Sequence, residues 1–359
     1  MDTATRLLLS AVLVSTILPL TACGQERPPE GGPPTPVTVG LLLPNTSSTR
    51  YESFDRPLIE AAVTGLCSRC TVAYANAEGQ ENIQRKQFDD LLAKGARVIL
   101  LDPVNAAGTA SWVDAAARQG TKVVSYDRLA AGRVTAYVSF DSERTGELQG
   151  KALIDALGPK AATANVVMIN GADGDPNTLA LKAGAHQALD GKVKSIPYEQ
   201  SGDWKPETAA RRTAEAVRTL GKGGFQAVYS ANDAMAGAII ETLRSSGMSG
   251  LPVGGQDASI DAVRRVLADE QAYTIYKPYR QEAEAAGDVT AYLLNGLNVS
   301  AVAQSVTKRD GDRIPSLLLT PVLVTKANVA STVMAGGLYS AAEICAEQYE
   351  SLCLKAGLR

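Results

Sequence analysis

Polar side chains recur at one kind of place in this chain, just beyond short runs of Val, Ile and Leu. They are Arg50-Tyr51, Asp127-Arg128, Asp173-Gly174-Asp175-Pro176-Asn177, Asp203-Trp204, Asn232-Asp233, Gln256-Asp257 and Lys277. Gathered at one mouth, these groups supply carboxylates, amides, guanidinium and ammonium ions, and two aromatic faces. Each hydroxyl of a polyhydroxylated ligand is one donor and up to two acceptors, so bidentate Asp, Asn and Arg can serve neighbouring hydroxyls. The C–H face of a pyranose is apolar and can lie on a ring such as Trp204 or Tyr51. The competing reading is local: Asp, Asn and Ser cap helices routinely, and Asp203, Asn232 and Ser142 can be caps alone. Capping does not account for Trp204, Arg128 or Lys277.

Catalytic signatures are missing. The sequence has no Gly-x-Gly-x-x-Gly, no Walker-type loop and no Gly-x-Ser-x-Gly elbow. Its one histidine, His186, sits inside a helical pattern and is expected to be a partly exposed helical residue, which argues against a Ser-His-Asp triad. Counting alone leaves a carboxylate pair for glycoside cleavage open. The Asp residues, however, are interleaved with Arg and Lys, which hold carboxylates ionised rather than raising an acid's pKa.

The elements that must position these groups are strands alternating with amphipathic helices. Strands are expected over Val37–Leu43, Thr71–Ala75, Val98–Leu101, Lys122–Tyr126, Tyr137–Phe140, Asn165–Ile169, Val193–Pro197, Ala227–Ser230, Pro252–Gly254 and Tyr273–Tyr276. Helical periodicity fills Gln80–Lys94, Ala107–Gln119, Ser142–Leu157, Lys205–Leu220 and Ser259–Ala268. The strands carry apolar residues on both faces, as parallel strands covered on both sides do. The chain is therefore α/β, with doubly wound parallel sheets, and such sheets bind ligands outside the carboxyl ends of their strands. The stretch Val134–Asp141 follows its predecessor too closely for a helical crossover and reads as a first passage between domains.

Of 359 residues, 45% are hydrophobic and 20% charged, an ordinary globular balance; the net charge of −3 offers no basic excess for nucleic acid. An apolar run from Leu7 closes on Leu20-Thr21-Ala22-Cys23, which has the form of a lipoprotein signal over residues 1–22 with Cys23 as the lipidated first residue of the mature chain. A Pro-rich tether follows to residue 36. Roughly 320 residues remain, enough for two domains. Four further cysteines, Cys67, Cys70, Cys345 and Cys353, suit two disulfides in an exported chain, with three connectivities possible; the spacing does not suit zinc.

Tyr126-Asp127-Arg128, Ser139-Phe140-Asp141, Ser230-Ala231-Asn232-Asp233-Ala234, Gly255-Gln256-Asp257-Ala258 and Tyr276-Lys277-Pro278 occur in an order that resembles the xylose-binding proteins of ABC sugar importers. Ile314–Pro321 is similar to that family's closing strand, and the likeness runs from about Val37 to Tyr339. The resemblance implies a type I periplasmic binding protein fold, two doubly wound lobes joined by three hinge strands. The lobes would comprise residues 37–139 with 276–318, and 140–275 with 319–359. It implies sugar contacts at Arg50, Asp127, Arg128, Asn177, Trp204, Asn232, Asp257 and Lys277. Tyr51 is added as a stacking face where the family pattern has tryptophan, and Pro176 interrupts an Asp-Asn-Asn run.

The expected protein is a monomeric, lipid-anchored, extracytoplasmic receptor. It would deliver a monosaccharide, xylose or a similar aldopentose, to an ABC permease, with no cofactor, no metal and no catalysis. Its rivals are a sugar-sensing signalling receptor without transport and a surface carbohydrate-active enzyme. A repressor of this fold would need DNA-binding helices where this chain has a leader and tether. Arg50, Arg128 and Lys277 facing Asp127 and Asp257 would leave the pocket close to charge-balanced. With the two cysteine pairs on different lobes, Cys67–Cys70 and Cys345–Cys353 are the expected bridges, since bridging needs Cα atoms within ~7 Å.

Overall fold

The computed structural model describes residues 35–309 and 311–358, so the leader, Cys23 and nearly all of the tether lie outside the described residues. The larger sheet collects β1 (Val37–Leu43), β2 (Cys70–Asn76), β3 (Val98–Leu101), β4 (Lys122–Tyr126), β5 (Ala136–Phe140), β10 (Ser305–Arg309) and β11 (Asp312–Leu319) in the order β10-β11-β5-β4-β3-β1-β2. Only the β10–β11 hairpin is antiparallel. A second sheet orders β6 (Asn165–Asn170), β7 (Ser195–Ser201) and β8 (Ala227–Ser230) as β7-β6-β8, all parallel. A short antiparallel pair joins β9 (Thr274–Tyr276) to β12 (Val322–Val324). Strands β3 and β8 are buried at every residue, because helices cover both faces.

Helices α1 (Arg56–Leu66), α2 (Glu81–Ala93), α3 (Ala110–Arg118) and α9 (Tyr279–Leu294) accompany the larger sheet. The smaller sheet is covered by α4 (Ser142–Leu157), α5 (Pro176–Leu189), α6 (Pro206–Leu220) and α7 (Asp233–Ser245), with α8 (Ile260–Leu267) just before β9. The chain passes between the two sheets three times, after Phe140, after Tyr276 and after Leu319. Helices α4 and α5 pack closely. A Cβ on Gly146 would lie 1.9 Å from the Leu181 carbonyl oxygen, and one on Gly184 1.9 Å from that of Glu143. Only glycine permits this approach.

Beyond β12 the chain continues through α10 (Ala341–Ile344) and α11 (Glu350–Lys355). This tail is built in. Ile344, Cys345 and Cys353 are fully buried in a cluster that also holds Phe140, Val263, Leu267, Tyr276 and Tyr279. The Arg264 guanidinium on α8 donates to the carbonyls of Glu343 (2.7 Å) and Ile344 (3.2 Å). Cys67 is bonded to Cys70 across the turn from α1 to β2, Cα atoms 5.3 Å apart, and Cys345 to Cys353 across the bend between α10 and α11, 5.8 Å apart.

Three sequence expectations need correction. Pro252–Gly254 is no strand: Val253 makes a single bridge to Val228, since proline and glycine flank it. The strand expected over Val193–Pro197 runs from Ser195 to Ser201, because Val193 still donates to the Leu189 carbonyl at the helix end. Pro197 is tolerated there because β7 is an edge strand and the register shifts beside it. Asp203 and Ser142 cap nothing: α6 starts after Lys205, and the cap of α4 is Asp141, accepting from the Arg144 amide.

Candidate functional site

The carboxyl ends of the two sheets face each other, and every candidate side chain lies between them. Tyr51, Arg50, Asp127, Arg128, Asn177, Trp204, Asn232, Asp257 and Lys277 line one narrow cleft of about 30 Å³, joined by Ser48, Asp175 and Gln256. Arg50 follows β1, while Asp127 and Arg128 follow β4. Asp175 and Asn177 begin α5, Trp204 follows β7 and Asn232 follows β8. Asp257 sits in the turn before α8, and Lys277 follows β9.

The backbone is bent to present these groups. Asp127 (φ +57°), Trp204 (φ +56°) and Asp257 (φ +95°) all occupy left-handed conformations, which Asp tolerates and a bulky residue does not. Such strain of about 1–3 kcal/mol per residue gathers at functional sites. Trp204 is held by two contacts. Its indole NH donates to Asp175 Oδ2 at 2.9 Å, and its ring lies so close to Gly171 that a Cβ there would come within 2.1 Å of Cζ2.

Arg50 is the most heavily paired cation. Its guanidinium reaches Asp55 through two hydrogen bonds (2.8 and 2.7 Å), Glu282 Oε2 at 2.8 Å and Asp127 Oδ1 at 3.5 Å, and stacks over the Tyr279 ring at 4.4 Å. The Tyr126 hydroxyl also donates to Asp55. Burial opposes charge on Arg50, but these carboxylates outweigh it and keep it protonated. Asp127 accepts from the Tyr51 hydroxyl at 3.0 Å. Burial pushes its carboxyl up, yet the fields of Arg50, Lys277 and Arg128 win and bring it down to about 2. Lys277 Nζ lies 3.2 Å from Asp257 Oδ1.

Hydrogen bonds cross the cleft. Arg128, beside the larger sheet, donates to Asp175 Oδ2 at 2.6 Å, and Asn177 Nδ2 reaches the Asp127 carbonyl at 3.1 Å. Arg128 also faces Asp102 Oδ1 at 3.5 Å. Asn232 is both cap and lining residue: its Oδ1 accepts from the Met235 amide at 3.0 Å, and the residue lines the cleft.

The charge census differs from the expected balance. Three cations, Arg50, Arg128 and Lys277, face six carboxylates: Asp55, Asp102, Asp127, Asp175, Asp257 and Glu282. Burial pushes Asp102 and Glu282 well above the ordinary carboxylate range. Sequence reasoning missed Asp55, Asp102 and Glu282, and it placed Asp175 and Gln256 at the mouth without choosing them as contacts. Gln256 is nearly inaccessible, and its Oε1 has no hydrogen-bond partner among the described residues. Its place beside Asp257 at a strand end was the available signal.

His186 pairs with Asp190 and Glu199 on the surface of α5, away from the cleft. Among the described residues no cluster of His, Cys, Asp and Glu could hold a metal, and no helix is long and apolar enough to cross a membrane.

The alternating sheets, the facing carboxyl ends and the shared polar cleft match known proteins. Residues 39–298 match the family model described as a periplasmic binding protein domain. The chain is 31% identical to the D-xylose-binding periplasmic protein of Escherichia coli (strain K12), over 86% of this chain and 92% of that one. It is 29% identical to its namesake from Haemophilus influenzae, over 84% and 90%. Among solved structures, a carbohydrate transporter solute binding protein from Chloroflexus aurantiacus, in complex with D-glucose, superposes with a TM-score of 0.77 at 23% identity, covering 86% of this chain and 98% of that chain. All three are binding proteins rather than enzymes. On its sequence and its two-sheet architecture, this chain belongs to the periplasmic binding protein domain family.

Proposed function

We propose that this protein is a lipid-anchored extracytoplasmic receptor, anchored through Cys23, which captures a monosaccharide as a monomer and delivers it to an ABC permease. D-xylose or a similar aldopentose is the proposed ligand. One observation carries the reading: all nine candidate side chains, drawn from loops of both sheets, line a single cleft. The relatives named for D-xylose support the choice of sugar.

The geometry suggests how binding proceeds. A pyranose is larger than the present cleft, so the walls must part at the Arg128–Asp175 and Asn177–Asp127 contacts. Arg128, Asp127 and Asn177 then exchange partners with sugar hydroxyls, and for Arg128 and Asp127 the new bonds are again charge-assisted. Trp204 offers an apolar face and Lys277–Asp257 a donor–acceptor pair on the smaller sheet's side. Closure around the ligand gives the permease a shape that the open protein lacks.

The test is calorimetric titration of the purified protein with D-xylose, D-glucose and D-glucuronate. Saturable xylose binding that exceeds glucuronate binding supports the reading. No binding of any neutral sugar refutes it. Metabolic labelling with palmitate tests the anchor: label must disappear in Cys23→Ser.

A further inference from the structure

The cleft is not closed on all sides. Between the start of α1, α8 and the tail lies an outer cavity of about 550 Å³, within the ~300–1,000 Å³ of typical small-molecule sites. Ser48, Arg50, Asn232 and Asp257 line both spaces, so the two adjoin.

We propose that this outer cavity is a second sugar subsite, so that the protein takes a neutral disaccharide or glycoside with its terminal ring in the inner cleft. The proposal rests on the sugar-receptor reading and extends it by one ring. Phe54 and Tyr339, both partly exposed, meet edge to face at 5.6 Å and 70°, offering apolar surface for a second ring. Hydroxyls of Ser53 and Ser259 and the carboxylates of Asp261 and Glu343 supply hydrogen-bonding groups around them. The cavity's own cation, Arg265, is already engaged by Gln271 Oε1 at 3.0 Å and the Asp233 carbonyl at 3.1 Å. Those acceptors are neutral, but the lining carboxylates Asp233, Asp257, Asp261 and Glu343 outnumber Arg50 and Arg265, which disfavours sugar phosphates and uronates. The tail wall is fixed rather than loose, since the Ser340–Glu343 capping box and the bonds from Arg264 hold α10 in place.

The experiment compares D-xylose with β-1,4-xylobiose by calorimetry on the full chain, on Tyr339→Ala and on Ser53→Trp, which fills the cavity from an exposed position. Xylobiose is expected to bind about tenfold tighter than xylose, the gain from ~1.4 kcal/mol of added contact. Both variants should lose that gain and keep xylose affinity. Xylose binding with no gain for xylobiose overturns the subsite alone. Equal loss of both ligands in Ser53→Trp also overturns it, by making the cavity part of the monosaccharide site. Failure of both sugars to bind the unaltered protein refutes the receptor reading instead.

Discussion

Asp175 performs three tasks with one carboxylate, and Asp175→Asn separates them. Oδ1 caps α5 by accepting from the Asn177 amide at 2.8 Å, while Oδ2 accepts from Arg128 and from the Trp204 indole. Asparagine caps a helix about as well as aspartate, so the first task survives. The amide nitrogen that replaces Oδ2 faces two donors, so the other two bonds are lost. A charge-assisted hydrogen bond contributes ~1.5–3 kcal/mol and a neutral one ~0.5–1.5, which sums to about 2–4.5 kcal/mol. Unfolding entropy near 2.1 cal/mol/K per residue over roughly 320 residues is about 0.7 kcal/mol/K. The melting temperature should therefore fall by about 3–6 °C in scanning calorimetry of the ligand-free protein. The control is Asp203→Asn, which removes the exposed Asp203–Lys205 pair; such pairs contribute ~0–1 kcal/mol, so the shift there should stay under about 1.5 °C. Equal melting temperatures for Asp175→Asn and the unaltered protein would refute the assignment of Asp175 as the bridge across the cleft.

Three further outcomes are expected. Asp257→Ala and Trp204→Ala should each weaken D-xylose binding by roughly ten- to a hundredfold, the cost of one charged hydrogen bond or one apolar platform; calorimetry giving full affinity in both would place the sugar elsewhere. Asp233 is buried beside Asp257, and burial first, then that neighbouring charge, pushes its carboxyl up to about 7 against a partial offset from Arg265 on α8. The carboxyl also faces Tyr273 beside β9, Tyr339 of the tail and, through Asp257, Lys277. A raised carboxyl binds its proton more tightly in the folded state, so its contribution to stability is full below about pH 4 and declines as pH rises through 7. The stability advantage of the unaltered protein over Asp233→Asn should thus shrink between pH 5 and pH 8, and a pH-independent gap in urea melts would contradict this. Replacing Cys345 and Cys353 together by serine opens an eight-residue separation whose closure is worth about 2–3 kcal/mol. That variant should melt several degrees lower while retaining xylose affinity, and an unchanged melting curve would mean that the tail adds nothing to stability.

Much of this architecture is legible in the sequence because parallel strands covered on both faces read as unbroken apolar runs. Val37–Leu43, Val98–Leu101, Lys122–Tyr126 and Ala227–Ser230 match to the residue. The hairpin β10–β11 is less legible, since β10 alternates exposed and half-buried residues at a sheet edge. The cleft's lining was visible because it lies at strand ends, where polar residues interrupt apolar ones. The layer behind it was not. Glu282 is a carboxylate inside α9, which is indistinguishable by pattern from the exposed Glu284 two residues on, and Asp55 lies in a helical turn. Only the fold reveals that both turn inward to Arg50. Asp203 resembled a cap because it stands three residues before a helix, but its left-handed backbone serves to swing Trp204 toward Gly171.

The contact between Arg128 and Asp175 also bears on how a bound molecule leaves. A receptor that grips its cargo through buried charges faces a high barrier to letting go, because each vacated charge is stranded without a counter-ion. Here the two opposing walls carry mutual counter-ions at 2.6 Å. On the proposed reading, the guanidinium and the carboxylate recombine as the sugar departs, so unloading trades hydrogen bonds to neutral hydroxyls for the mutual ion pair rather than leaving bare charges. On that reading, weakening the internal pairing should lengthen the dwell of the cargo without adding any contact to it.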